Sequence, residues 1–143
     1  MRYPEQKLEK SWIYQGITQD VVLWADSFGE YLCQNDGNKK PLTTGQLRKF
    51  FGEVKRIEAN IDGDLTGVIM LKPLLAYAVG RDKNNRGVNC SKIEEFAKEI
   101  NTGIDAVIEG KEGDRKLYFK NFVKIFEAVV AYHKFYGAKE NSR

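Results

Sequence analysis

The sequence is poor in the residues that build catalytic and metal sites. Its 143 residues include one histidine, His133, and two cysteines, Cys33 and Cys90. A single imidazole excludes most metalloenzyme chemistry and every mechanism that needs two imidazoles. Two cysteines so far apart, without a C-x-x-C pair, are typical of free thiols in a reducing cytoplasm. We therefore expect no metal centre, no disulfide framework and no cofactor.

Long apolar runs are also missing. No stretch approaches the ~20 apolar residues of a membrane helix, and charged residues interrupt the N-terminus too often for a signal peptide. The hydrophobic share of 42% and the mean hydropathy of −0.50 are typical of globular proteins. We expect one cytoplasmic domain over residues 1–143, without membrane association. Residues 1–17 are a candidate flexible segment, and the apolar residues 12–14 within it, Trp-Ile-Tyr, are expected to be exposed.

The net charge of +3 conceals a strong segregation of charge. Residues 39–56 carry six cations and one carboxylate, whereas residues 1–36 carry three cations and six carboxylates. Residues 91–109 are acidic again, with two cations and five carboxylates. Such segregation creates a field at the surface that the small net charge does not show.

Helical periodicity covers most of the chain, and no segment alternates with period 2 for long enough to predict a strand. The second of the predicted segments has the clearest start signal, because Thr43 and Gln46 form a capping box and Leu42 and Leu47 a hydrophobic staple. The pattern predicts an all-α, compact single-domain bundle of about five helices. These span approximately residues 18–33, 43–61, 65–81, 91–110 and 115–136.

The third and fourth predicted helices differ in character. Segment 65–81 is apolar on nearly all sides, which predicts a central buried helix, and Pro73 either starts or kinks it. Segment 91–110 opens with a second apparent capping box, from Ser91 to Glu94. Its carboxylates, including Glu95 and Glu99, are expected on an exposed acidic face.

The few candidate chemical groups all have structural interpretations. Residues 62–67 begin like a calcium loop, but the position of the bidentate glutamate is Pro73, so a turn in which Asp64 caps the next helix is favoured. His133 lies on an apolar helix face, which predicts a core histidine with one hydrogen bond. Both cysteines are expected to behave as inert small hydrophobes. The sequence therefore predicts a protein without catalytic residues, not an enzyme.

A basic helix face is the strongest functional signal. Arg48, Lys49, Lys55 and Arg56 project into an arc of roughly 120° opposite the apolar side, and Gly52 lies among them. Cations also precede this helix and occupy the loop that follows segment 65–81, and three lysines repeat every four residues in segment 115–136. Such cations suit the phosphate backbone of a nucleic acid. Because no cluster of exposed aromatic residues accompanies them, base stacking is not the expected mode.

Three separated segments resemble a known family, the small helical subunit of type III-A (Csm) CRISPR effector complexes. They are LTTGQLRKFFGEVKRI at 42–57, LKPLLAYAVGR at 71–81 and FEAVVAYHKFY at 126–136. The first resembles the L-T-T-S-Q-[IL]-R-K-F signature, with Gly45 in place of serine, and the second resembles L-K-P-x-L-A-Y-x-x-x-R. The first forty residues match no signature.

The resemblance implies a non-catalytic subunit, present in more than one copy, that contacts guide RNA and paired target RNA beside the large and backbone subunits. It places Arg48, Lys49, Lys72 and Arg81 on signature positions. Together with the charge pattern, it gives the candidate RNA-binding residues: Arg48, Lys49, Lys55, Arg56, Lys72, Arg81, Lys83, Arg86, Lys116, Lys120 and Lys124.

Two other functions remain open at this stage. The segregated charge also suits a helical interaction module that self-associates without nucleic acid, with the basic face of one copy on the acidic fourth predicted helix of the next. An RNA-cleaving enzyme would have to use Asp62 or Asp64 to hold a metal.

Overall fold

The computed structural model describes residues 3–37, 39–61 and 64–137. These parts of the chain contain helices and isolated β-bridges but no strand, so the predicted all-α class is confirmed. The helices are α1 (Lys10–Gln15), α2 (Gln19–Cys33), α3 (Thr44–Asn60), α4 (Thr66–Arg81), α5 (Ile93–Glu109), a 3-10 turn (Glu112–Asp114) and α6 (Arg115–Phe135).

Helix α6 is the centre of the bundle and packs against α1, α2, α3 and α5. Phe126 shows why, because its ring meets Phe50 of α3 at 5.7 Å and Phe96 of α5 at 5.6 Å between centroids. Helix α2 approaches α6 closely at Gly29, where a Cβ atom would come within 2.8 Å of the backbone nitrogen of His133. The long apolar face of α6 thus holds the other helices around one core.

Helix α3 begins as the sequence predicts. Thr43 Oγ1 accepts a hydrogen bond from the backbone nitrogen of Gln46, and Gln46 Oε1 accepts from the backbone nitrogen of Thr43, so the capping box is complete. Leu42 and Leu47 are both buried. This local signal therefore sets the start of the helix that carries the basic face.

Helix α4 is not the central buried helix that its composition predicts. It packs mainly against α5, and only Val68, Leu71 and Leu75 are buried. Its other side is open, with Met70 59% and Tyr77 65% exposed. Uniform apolarity predicts burial on all sides, but α6 already occupies the centre of the bundle. Pro73 lies inside the helix on the open side and does not start it.

The run 12–14 is not the exposed stretch that the sequence predicts, because two of its three residues are buried. Residues Lys10–Gln15 form α1, in which Trp12 is 7% exposed and Ile13 is fully buried. Asn121 Nδ2 donates to the Ile13 carbonyl at 2.8 Å, and the Tyr14 hydroxyl donates to the Ala106 carbonyl at 2.7 Å. A six-residue helix is too short to show a period and depends on such tertiary contacts.

The capping box predicted at the start of the fourth helix is wrong. Helix α5 starts at Ile93 with Lys92 at the N-cap, and no side chain caps it in that way. Ser91 Oγ donates to Asp82 instead, at 3.0 Å, and accepts from the Ile93 nitrogen at 3.3 Å. The Ser91 hydroxyl thus bonds to the Asp82 carboxylate and does not cap the helix as the local pattern predicts.

None of the helices in the described ranges combines the length and the apolarity needed to cross a bilayer.

Candidate nucleic-acid interface

The solvent side of α3 carries four cations in two flanking pairs. Arg48, Lys49, Lys55 and Arg56 are all exposed, and Gly52 lies between the pairs with open space where a Cβ would be. The opposite side holds the buried Leu47 and Val54 against the core. We call these four cations the α3 basic face.

Two of the four cations are partly neutralised within α3. Lys55 Nζ lies 3.2 Å from Glu58 Oε1, and Arg56 pairs with Glu53, where its hydrogen bond lowers the pKa of the Glu53 carboxyl. Such exposed pairs contribute little to stability. Arg48 and Lys49 make no ion pair with any described residue, so they carry the unbalanced charge of this face.

Lys72 is a predicted RNA-binding residue, but it contacts another helix of the bundle. Its ammonium pairs with Asp105 of α5, so it joins α4 to α5. Lys39, which precedes α3, likewise pairs with Glu95 at 2.5 Å. The structure therefore gives both lysines a partner within the bundle, and Lys72 is not part of the α3 basic face.

Asp82 organises the basic loop between α4 and α5, and sequence reasoning missed it. Its carboxylate accepts hydrogen bonds from the Cys90 nitrogen at 3.0 Å, the Ser91 nitrogen at 2.9 Å and the side chains of Asn89 and Ser91. Within this frame Lys83 and Arg86 are exposed. Because Asp82 is the first residue of the loop and belongs to no local motif, only the folded chain shows that it holds the end of the loop in place.

A groove of about 560 Å³ separates α3 from α4 and brings two predicted residues together. Lys49 lines it from α3 and Arg81 from α4, beside the exposed ring of Tyr77. The Arg81 guanidinium carbon lies 5.8 Å from the centroid of that ring. Tyr77 was not a predicted site residue, although its i, i+4 spacing to Arg81 on one helix is a signal that the sequence does contain.

The lysine row of α6 is a separate surface. Lys116, Lys120 and Lys124 are exposed and make no ion pair with any residue that the structure describes. Helix α3 meets α6 through Phe126, and Lys124 lies about 160° around the helix from Phe126. Lys124 and the α3 basic face therefore do not form one patch through this contact.

The exposed acidic face predicted for the fourth helix holds for Glu94 and Glu109 but is wrong for Glu99. Glu99 is only 2% exposed and accepts hydrogen bonds from the Leu8 nitrogen at 2.7 Å and from the Tyr3 hydroxyl. Glu109 pairs with Lys10 at 2.9 Å. Lys39 pairs with Glu95 and Lys72 with Asp105. Most of the α5 carboxylates therefore form hydrogen bonds or ion pairs with other segments of the same chain.

Of the histidine and the two cysteines, the histidine lies in the core and one cysteine is partly buried. His133 is buried, with Nε2 2.7 Å from the Leu42 carbonyl oxygen, which confirms the predicted core histidine. Burial raises the pKa of the Cys33 thiol. Cys90, however, is exposed, which does not fit the expectation of a small hydrophobe.

Only residues 64–67 of the calcium-like segment 62–67 lie among the described residues. Asp64 Oδ1 accepts from the nitrogen and the hydroxyl of Thr66 at 2.9 and 2.7 Å, which lowers its pKa and places it at the start of α4. Asp62 and Gly63 lie outside the described residues. Within the described ranges no three Asp, Glu, His or Cys side chains are grouped as metal ligands would be.

Residues 17–139 match the model of one protein family, Csm2 Type III-A. The chain belongs to the Csm2 type III-A family. No curated protein and no solved structure gives a significant match. The chain is therefore a subunit of a type III-A CRISPR complex.

The Csm2 type III-A match covers the parts of the fold that carry the basic residues. It spans α2 to α6 and includes all three segments on which the resemblance rests, at 42–57, 71–81 and 126–136. The resemblance is thus confirmed. Helix α1 lies outside the range matched by the Csm2 model.

Proposed function

We propose that this chain is a non-catalytic, RNA-binding assembly subunit of its complex, which contacts guide RNA and paired target RNA through the α3 basic face. The observation that carries the proposal is the state of Arg48 and Lys49. Both are exposed on a regular helix and make no ion pair with any described residue. Neighbouring cations without carboxylate partners are what a polyanion requires.

Phosphate contacts suit a subunit that must accept any guide sequence. Cations on a helix face bind the backbone of an RNA without reading base edges. The exposed Lys83 and Arg86, and the lysine row of α6, supply further positive charge. The non-catalytic role is supported by the position of the only imidazole, which is buried against Leu42. The large and backbone subunits and further copies of this chain are the proposed protein partners.

Charge reversal on the α3 basic face tests the proposal. The pair Arg48→Glu and Lys49→Glu is compared with Lys98→Glu and Lys111→Glu, which change the charge equally at exposed positions on other parts of the surface. Binding to a single-stranded RNA is measured by fluorescence anisotropy at several salt concentrations. The first pair is expected to weaken binding at least tenfold and to reduce the salt slope by about 1.4, at about 0.7 per lost phosphate contact.

Equal affinity and equal slope in the two double variants would contradict the proposal, because the α3 basic face would then be no different from the rest of the surface. A guide–target duplex is measured in the same way. We expect the same order of affinities, since A-form duplexes also present their phosphates.

A second candidate function is self-association through complementary charge. The carboxylates available to meet a basic face are mostly on α2 rather than on α5. Asp20 and Glu30 are on the open side of α2 with no ion pair in the described ranges, and Leu23 between them is 56% exposed. This surface is complementary to the α3 basic face of a second copy. Since the carboxylates of α5 are mostly engaged within the chain, α2 is the better candidate.

Light scattering at low and high salt, without RNA, tests this second function. Asp20→Lys with Glu30→Lys is expected to abolish a salt-sensitive association. Glu112→Lys with Glu127→Lys, at exposed carboxylates elsewhere, is the matched control. A monomer at every salt concentration would contradict it.

A further inference from the structure

The groove between α3 and α4 exists because the two helices pack on different neighbours. Helix α3 lies mainly on α6, and α4 lies mainly on α5. Between them opens a space of about 560 Å³, which is in the range of small-ligand sites. Its floor is apolar and includes Leu47, Phe50, Leu75 and Phe96.

Two cations and two carboxylates line this groove, so the lining carries no net formal charge. Its two carboxylates are engaged, Glu53 by Arg56 and Asp82 by the loop that precedes α5. The remaining charged side chains in the lining are Lys49 and Arg81, and neither has an ion-pair partner among the described residues. The groove therefore combines an apolar floor with two available cations.

Tyr77 gives the groove an aromatic surface at its edge. Its ring is 65% exposed, although it lines the groove, and the Arg81 guanidinium lies 5.8 Å from its centroid. An aromatic ring and a guanidinium plane are the two side-chain surfaces on which unpaired RNA bases stack. The two cations are placed on both sides of the groove, where they can reach phosphates that flank a base.

We propose that this groove receives one unpaired RNA base, which lies against Tyr77 and Arg81 while Lys49 and Arg81 hold the adjacent phosphates. The proposal rests on the proposed RNA-binding function and adds a base contact to it, where the sequence predicts backbone contacts alone. Stacking accepts all four bases because each has a π face. A base contact of this kind is therefore compatible with guides of any sequence.

The two cations of the groove favour a base with its flanking phosphates over a protein helix as its occupant. A docking helix presents apolar side chains at i, i+4 and i+7 and needs a continuous apolar groove. Here the cations Lys49 and Arg81 line the groove from both helices, and both are better matched to phosphates than to an apolar stripe. An apolar protein segment is nevertheless a defined outcome of the test below.

The test compares ordinary and abasic RNA. The full chain, its Tyr77→Ala and Tyr77→Phe variants and a Met70→Ala control are each titrated with a single-stranded RNA and with the same RNA in which alternate nucleotides lack the base. Met70 is on the same helix, is 59% exposed and does not line the groove. Thermal unfolding of each variant confirms that the fold is retained, which we expect because Tyr77 is exposed.

Wild type is expected to bind the ordinary RNA about tenfold more tightly than the abasic RNA. Tyr77→Ala should lose about tenfold for the ordinary RNA only and keep the wild-type salt slope, because no phosphate contact is removed. Tyr77→Phe and Met70→Ala should bind both RNAs as wild type does.

The base site is overturned if Tyr77→Ala binds both RNAs as wild type does, or if it weakens both equally. It is also overturned if Tyr77→Ala leaves RNA binding intact but reduces association with another protein chain, since the groove would then hold a protein segment. Absence of any salt-dependent RNA binding by wild type would contradict the proposed function itself, and the base site with it. The two failures are distinguishable, because loss of the base site alone leaves wild type with salt-dependent RNA binding, whereas failure of the proposed function leaves it with none.

Discussion

Lys92 Nζ lies 2.6 Å from the Tyr31 carbonyl oxygen and joins the start of α5 to the end of α2. The lysine is fully buried, and the same ammonium also donates to the Gln34 carbonyl at 2.8 Å. Its burial lowers the pKa of Lys92. This contact crosses 61 positions of sequence, and the helical pattern alone does not predict it.

Replacement of this buried lysine is expected to destabilise the fold. Lys92→Met keeps the volume but leaves the two carbonyl oxygens without their donor, which costs about 1–3 kcal/mol. Urea unfolding measures the change. Lys98→Met, at an exposed position of the same helix, should stay within about 0.5 kcal/mol of wild type. Equal stability of the two variants would contradict this expectation.

The carboxylate of Glu99 is expected to matter for the same reason. Glu99→Ala removes the acceptor of the buried Leu8 nitrogen and of the Tyr3 hydroxyl, at a cost of about 1–3 kcal/mol. Glu94→Ala, on the exposed side of α5, should cost less than about 0.5 kcal/mol. Chemical denaturation of both variants decides between this arrangement and the exposed acidic face that the sequence pattern predicts.

Two glycines should respond in opposite directions to alanine. A Cβ at Gly29 would come within 2.8 Å of the His133 nitrogen, so Gly29→Ala forces α2 and α6 apart and should cost about 1–3 kcal/mol. A Cβ at Gly52 meets open space, so Gly52→Ala should stabilise α3 by about 0.5–1 kcal/mol. Thermal unfolding measures both, and a destabilised Gly52→Ala variant would mean that this side of α3 is covered.

Alkaline titration should reveal tyrosines that ionise late. Burial raises the pKa of Tyr31 to about 12, and the hydrogen bond to Asp26 raises that of Tyr136 to about 12. Burial and Glu99 also raise the pKa of Tyr3. Because the unfolded side chains ionise near pH 10, the folded state holds more protons above that pH, and stability falls as the pH rises toward 12.

Ultraviolet absorbance checks this prediction. At pH 11 the folded chain should contain fewer tyrosinates than its seven tyrosines would form when unfolded. Tyr136→Phe should remove one late-ionising group. A single titration near pH 10 for all tyrosines of the folded chain would contradict the burial of Tyr31 and the hydrogen bond of Tyr136 to Asp26.

The sequence predicts the features of this fold that depend on neighbours along the chain. The capping box of Thr43 and Gln46 and the i, i+4 spacing of α3 are local, so the sequence predicts the exposed position of its four cations. The core position of His133 followed from its place on the apolar side of α6.

What the sequence did not predict depends on contacts between distant residues. The composition of α4 could not show that α6 occupies the centre, so the exposure of Tyr77 was missed. The roles of Glu99 and Asp82 depend on donors from other segments, and charge patterns give the sign of a side chain but not its partner. The groove has the same origin, since it arises from how α3 and α4 pack.

Co-purification with RNA tests the central claim most directly. The chain is isolated from its own cells, as wild type and as the Arg48→Glu, Lys49→Glu variant, and its associated RNA and proteins are identified. The account predicts that wild type carries larger subunits and a short RNA of defined length, and that contact of this chain with the RNA, measured by ultraviolet crosslinking, is lost in the variant. Wild type that purifies without RNA, or a variant that crosslinks as well as wild type, would contradict it.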